Sequence, residues 1–516
     1  MEINKKDLEN WLQAAKKAGI LTSNGLCPGK LSEIPGADSL LYPGSVFSQM
    51  GAVYAMVKIG TRRLLGIFLQ NGVESNFEGQ KIEMENGGKA LFCPLSRTNA
   101  SALRMVLPHT APSSLARQKV TFGMGDRLGV AGPGQVRAIR PYEAAPVLAQ
   151  QSVRELELTG RSYEEVLDSA TWSVFQEGYT LPWGADGDHL KTESWVQKAI
   201  SLGYTMITAD VSDYIHQKHN SKPKEEMMKA YSNLDKNYRR KMENKYLNLR
   251  VELDVKKVIT FTLEELACTI LTYKEALEQA GRLYQAGVQK AGGRSFDFEL
   301  SVDETSMPTT PQAHIFAALE CQEAGIYLSS LAPRFVGEFQ KGIDYIGELS
   351  RFGNSFRIHA AIARKYGHRI SIHSGSDKFT VFPVISRHTR GRFHLKTAGT
   401  NWLEALRVIA RKEPALYRTI HHRAMERFDK ATRYYHVTTD LGNIPAVNSL
   451  SDKQLSGLFD NPDARQLLHI TYGELLSDSS LKKSFFSALE RHLEDYWACL
   501  EKHLGDHLKL LGVQKD

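Results

Sequence analysis

Cysteine is sparse and scattered. Cys27, Cys93, Cys268, Cys321 and Cys499 form no C-x-x-C pair, which argues against both a thiolate zinc cluster and a disulfide framework and leaves five buried thiols as the expectation. Any metal must then be held by histidine and carboxylate. No uninterrupted apolar run approaches the roughly 18 residues that span a bilayer, and the start, Met1 to Asp7, is charged and leads into an amphipathic pattern rather than a signal core. A cytoplasmic protein without a membrane partner is expected. An excess of one charge is also lacking: 65 Lys and Arg against 58 Asp and Glu leave a net +7, too thin a surplus to favour nucleic acid but compatible with a small anionic substrate. The segment Phe122 to Gly129 has glycines but neither a P-loop lysine nor the dinucleotide spacing followed by a helix. It reads as a glycine-rich turn presenting Asp126 and Arg127.

What is present is an ordinary globular composition, 42% hydrophobic and 24% charged, in a chain of 516 residues. That is long enough for one large core with additions, since a single core rarely exceeds roughly 300 residues. Short β-favouring runs such as Ala52–Ile59 and Arg63–Leu69 predict a β-rich N-terminal unit over residues 1–115. From 116 to 413 strand-length apolar runs alternate with helical segments, as βα units do. Strands are expected near 120–123, 180–184, 205–209, 296–302, 326–331, 369–373 and 393–396, with helices near 163–176, 263–289, 311–324, 345–365 and 402–411. About seven strands favour an α/β fold of the TIM-like (β/α)8 barrel type over an open sheet. Residues 220–250 form a charged helical insertion, and 414–516 a helical C-terminal extension that packs on the barrel or on a second subunit.

In such a barrel the reactive residues stand at the C-terminal strand ends. The octet Gly184-Ala185-Asp186-Gly187-Asp188-His189-Leu190-Lys191 falls at or just past one, so His189 can bind a metal while Asp188 faces a substrate proton; a turn with a surface histidine fits it equally well. His373 to Lys378 follows a second strand and offers a histidine, then Ser374, Gly375 and Ser376 as a nest of N–H groups, then Lys378. Lys396, Thr397 and Asn401 follow a third and suit a carboxylate or polyol, although helix capping explains the last of these as well. Asp297, Glu299 and Ser301 share one face of a strand by alternation, with Glu304 in the loop beyond; a carboxylate inside a barrel needs a cation, a metal or a proton, so one of Glu299 and Glu304 is a second acid/base. Arg334 suits a carboxylate or a surface salt bridge. His314, His359, His421, His422 and His469 read as packing or surface histidines.

Together these motifs resemble the tagaturonate epimerase family, from Phe122 to Gly129 through GADGDHLKT, HSGSDKF and HLKTAGTNWLEA to Asp463–Gly473. The family carries histidine after the Pro133-Gly134 pair, where this chain has Gln135. The resemblance implies an isomerase dependent on a divalent cation (zinc, manganese, nickel, cobalt or magnesium) that interconverts D-tagaturonate and D-fructuronate and extends to neutral ketoses such as fructose and tagatose. It implies Asp188 as proton acceptor and His189 as ligand. A more distant similarity is to class II sugar aldolases, in which an Asp-His pair and a His-Gly-Gly/Ala-Ser-Gly turn follow two strands, as Asp188-His189 and His373 to Ser376 do here. That similarity implies His189 and His373 as ligands. The aldolase's third histidine has no counterpart between Pro333 and Glu338, so Glu338 is the expected third ligand, with Glu299 and His314 in reserve. On this reading Asp188 with Glu299 or Glu304 does acid–base work. Arg127, Lys191, Lys378 and Lys396 meet the substrate carboxylate, and Ser374, Gly375, Ser376, Thr397 and Asn401 its hydroxyls. The alternatives are a sugar-acid aldolase, or a carbohydrate-binding relative without turnover. A homo-oligomer is compatible with all three.

Overall fold

The computed structural model describes residues 4–22, 25–26, 34–84 and 88–515. Eight parallel strands close into a barrel in chain order: β1 (Val120–Gly123), β2 (Ala145–Ser152), β3 (Gly184–Leu190), β4 (Met206–Asp210), β5 (Asp297–Val302), β6 (Ser330–Pro333), β7 (Arg369–Ile372) and β8 (Phe393–Lys396), which pairs back onto β1. Helices follow the strands as the alternation predicts. Tyr163–Glu177 begins at a Ser162–Glu165 capping box, and Leu263–Ala291 at one formed by Thr262 and Glu265, each satisfying orphan N–H groups of a first helical turn.

Three strands depart from expectation. β2 went unseen because it carries Pro146 and ends in Gln150, Gln151 and Ser152, residues that break an apolar run. The octet beginning at Gly184 is strand β3 itself rather than the turn beyond it; glycine and aspartate are poor strand formers, tolerated here because the barrel interior supplies counter-charge. β6 begins four residues later than expected, at Ser330. The helix expected from 345 starts at Leu349 and runs to Tyr366.

Ahead of the barrel lies a five-stranded antiparallel sheet, ordered Phe47–Gln49, Ala52–Ile59, Arg62–Leu69, Lys89–Cys93, Gln80–Glu83. Trp11, Phe68 and Phe92 pack on one face, and Tyr54, Ile67 and Leu91 pack with Trp172 and Phe175 of a barrel helix on the other. Between β4 and β5 the charged stretch folds as two helices, Lys224–Ser232 and Lys236–Tyr246, whose buried face is Met227, Tyr231, Met242 and Tyr246. The last helix, Leu493–Leu510, lies so close to Gly132–Ile139 that a Cβ on Gly134 would stand 2.8 Å from the Trp497 Cα. Cys93 and Cys321 are buried, Cys268 and Cys499 are partly exposed, and Cys27 lies outside the described residues. No helix among the described residues is long and apolar enough to cross a membrane.

His314 sits away from the barrel mouth in a buried chain of imidazoles. Its Nδ1 meets His359 Nδ1 at 3.0 Å and its Nε2 meets His368 Nε2 at 2.9 Å, so both nitrogens are spent and its reserve role as a metal ligand is corrected. Burial holds His359 down at about 4 and His368 at about 3. These rings stay neutral in the fold but take up protons in the unfolded chain below about pH 6.5. Stability is therefore lost as pH falls from 6.5 toward the folded values, by about 1.4 kcal/mol per unit for each ring. Denaturant-unfolding midpoints measured from pH 7.5 to 5 should fall along the acid limb, and His368→Gln should flatten that limb by close to one proton's worth.

Candidate active site

The barrel interior is built around an ion cluster. Alternation along β3 turns Asp186 and Asp188 to the same side as Thr208 of β4 and Glu299 of β5. From β8, the Lys396 Nζ reaches Asp188 Oδ1 at 2.6 Å, Thr208 Oγ1 at 2.6 Å, Asp186 Oδ2 at 2.9 Å and Glu299 Oε1 at 3.0 Å. Burial works against the charged amine, yet Asp186, Asp188 and Glu299 hold it well above its ordinary value. The carboxylates divide. Burial raises Asp186 to about 6, helped by the like charges of Asp188 and Glu299 and opposed by Lys396. For Asp188 and Glu299 burial is outweighed, by Lys396 with His189 and by Lys396 with His373, and both lie well below the usual carboxylate range. Lys396 is thus an internal counter-ion rather than the expected partner of a substrate carboxylate.

On this cluster stand two histidines. The register of β3 shifts after Gly187, and His189 takes a left-handed backbone, φ 55°, a conformation that costs a non-glycine residue about 1 kcal/mol. Its Nδ1 lies 2.8 Å from Asp188 Oδ1. His373 follows β7 and places Nε2 2.7 Å from Glu299 Oε1. With each of these nitrogens donating to its carboxylate, His189 Nε2 and His373 Nδ1 are the ring atoms left to face the cavity and Asp303. The ring centroids are 4.9 Å apart. Asp303, the residue immediately after β5, lies 3.1 Å from His373 Nδ1, and ligand atoms of His189, Asp303 and His373 all fall within 4.8 Å of one another. Two imidazoles braced by carboxylates plus one further carboxylate form a donor set suited to a divalent transition metal. The surplus of negative charge is also visible in the rings: burial pulls both down, but Asp188 and Glu304 raise His189 to about 10, and Asp303 raises His373 above its ordinary value.

Asp303 stands where Glu338 was expected. Glu338 pairs instead with Gln340 at 2.5 Å and lies 3.6 Å from His436. The strand alternation that groups Asp297, Glu299 and Ser301 reaches Asp303 next, and that was the available signal. Above the triad opens a cavity of about 380 Å³. Asp188, His189, Glu304 and His373 line it, as do Arg127, Lys191, Ser374, Ser376, Lys378 and Lys396. Glu304 is 43% exposed, 3.8 Å from His189 Nε2, whereas Glu299 is fully buried beneath, accepting also from Ser330.

Several expected contacts are spent elsewhere. Lys378 gives its three N–H bonds to the carbonyls of Gln340, Ile343 and Ser376, and burial lowers it to about 7. Lys191 is paired with Asp213 at 2.8 Å. Thr397 donates to the Gly123 carbonyl and Asn401 to that of Gly125, and neither they nor Gly375, packed on Leu395, lines the cavity. Arg334 does not line it either, and Gln135 lies under the Gly125 carbonyl. In the turn after His373, Gly375 donates its N–H to Lys396 O and Asp377 to His507 Nε2. The Asp377 carboxylate takes Arg465 at 2.7 Å and His503 at 2.6 Å, while His507 Nδ1 donates to the His503 carbonyl. Both nitrogens of His507 are engaged, so this second cluster braces the loop against the C-terminal helices. Sequence reasoning also missed Gln150, Glu155, Lys341 and His469, all on the cavity wall.

The sequence profile of the tagaturonate epimerase family matches residues 42–511. A tagaturonate/fructuronate epimerase of Thermotoga maritima is 41% identical over 438 residues, covering 85% of this chain and 89% of that protein. The native crystal structure of the fructuronate-tagaturonate epimerase UxaE from Cohnella laeviribosi superposes with a TM-score of 0.89 at 43% identity, covering 94% of this chain and 99% of that one. A glycerol complex of the same enzyme gives a TM-score of 0.89 at 44% identity over 92% and 97% of the two chains. The chain belongs to the tagaturonate epimerase family.

Proposed function

We propose that this protein epimerises D-tagaturonate and D-fructuronate with a divalent cation held by His189, His373 and Asp303, through reversible carbon–carbon cleavage. The observation that carries the reading is the convergence of those three side chains at the mouth of a barrel whose cavity they share with Asp188 and Glu304. The names of the relatives supply the substrate pair. Two imidazoles in the set favour zinc, manganese, cobalt or nickel over magnesium, which prefers oxygen alone.

The two uronates differ at a carbinol carbon β to the ketone, whose C–H the carbonyl does not acidify. Enolisation therefore cannot invert it. Loss of the proton from that carbon's hydroxyl lets the bond to the α-carbon break, with the electron pair moving toward the ketone and an aldehyde left behind. Rotation of the aldehyde and re-addition to its other face give the epimer. When bound, the cation supplies Lewis acidity at the ketone oxygen. Glu304 and Asp188 are the two proton carriers, one for each hydroxyl configuration: Glu304 is the lightly held one, and Asp188 keeps Oδ2 free of all but a 3.5 Å contact from Gln150. Glu299 fixes His373 from below, Ser374 and Ser376 border the hydroxyl positions, and Arg127 meets the carboxylate.

Wild-type protein should carry about one divalent ion per chain, while Asp303→Ala and His373→Ala should lose metal and turnover together in elemental analysis; a metal-free, fully active variant would reject the site. Glu304→Gln should retain metal and lower kcat by about 10²- to 10⁴-fold, and an unaltered kcat would remove Glu304 from the chemistry. In deuterated water the epimer should carry no deuterium at the inverted carbon; stoichiometric label there excludes cleavage, and release of three-carbon products points to an aldolase.

A further inference from the structure

Arg127 is 2% exposed and its guanidinium is only partly used. Nε and Nη2 donate to Glu155 Oε1 at 2.9 and 2.7 Å, and the group stacks 3.9 Å over the Tyr472 ring, yet Nη1 has no hydrogen-bond partner and the residue lines the cavity. Lys341 lines it too. Its ammonium donates to Ser374 Oγ at 2.9 Å, and among the described residues no carboxylate forms an ion pair with it within 4.0 Å, although Glu155 acts on it at longer range. His469, the third wall residue here, is 1% exposed with both ring nitrogens unpartnered. Burial, followed by the nearby charges of Arg127 and Lys341, holds that ring well below the usual imidazole range and so neutral. One buried orphan guanidinium N–H, one ammonium without a close acid and one neutral imidazole border a single cavity. That arrangement is costly unless an anion completes it.

We infer that Lys341, with Arg127 Nη1 and His469, forms the subsite that receives the substrate carboxylate, and that Lys341 sets the preference for a uronate over the corresponding neutral ketose. The inference rests on the epimerase reading and adds what decides between two substrates identical but for their terminal carbon. Lys341 is suited to this because Arg127 already spends Nε and Nη2 on Glu155, whereas the Lys341 ammonium meets only a hydroxyl, Ser374 Oγ, within hydrogen-bond distance. Its bond to Ser374 places that charge one residue from His373, so the carboxylate is read in register with the reacting end of the sugar.

The test compares D-tagaturonate with D-tagatose by kcat/KM and, independently of turnover, by calorimetric Kd, in wild type, Lys341→Met, Lys341→Gln and Lys341→Arg. The uronate-to-ketose ratio should fall about 10- to 100-fold in the Met and Gln variants, the range of one charged hydrogen bond, with most of the change in KM, and Lys341→Arg should restore most of it. Lys341→Gln keeps a donor for Ser374 and so separates charge from local collapse. An unchanged ratio in Met and Gln, or equal losses on both sugars, would overturn the subsite. Wild-type protein that binds tagaturonate but never epimerises it would sink the epimerase reading and leave the binding ratio to judge Lys341.

Discussion

A single ammonium group in a closed barrel organises everything above it. Lys396 faces three buried carboxylates, and such charges persist in a low-dielectric interior only when paired and hydrogen-bonded. Two of the three then act in turn as acceptors for the imidazoles, Asp188 for His189 and Glu299 for His373. The lysine therefore fixes, at one remove, which nitrogen of each ring is left to face the cavity. The triad's geometry is inherited from a lysine that is not one of its members.

The remaining restraint comes from outside the barrel. The loop after β7 carries His373, but its shape, with Ser374 at φ 50° and Asp377 at φ 61°, is held by Arg465, His503 and His507 from two C-terminal helices. The same C-terminal portion contributes His469 to the cavity wall. A barrel of short strands would leave such a loop free to sample other conformations; here three side chains distant in sequence pin one aspartate.

The barrel was legible because βα alternation is a local pattern, and the two histidines were legible because each ends a strand in a short polar motif. What failed were features that depend on partners far away in the chain. The octet at Gly184 looks like a turn because two aspartates do not suit a strand, and the lysine that makes them tolerable is 208 residues from Asp188. β2 is hidden by Pro146 and its glutamines, yet Gln150 has a polar cavity to face. The alternation along β5 leads to Asp303, whereas Glu338 lies in the loop well beyond β6 and turns to Gln340. Lys378 and Lys341 cannot be told apart by sequence; only the fold shows that three carbonyls consume the first and that, among the described residues, the second donates to a hydroxyl and forms no close ion pair.

The environment of Lys396 also closes off one chemistry. An amine must lose its proton before it can attack a ketone, and three carboxylates keep this one protonated. A lysine at the end of a barrel strand invites comparison with enzymes that cleave sugars through an imine. For Lys396 that route is opposed by the same charges that hold the lysine in place.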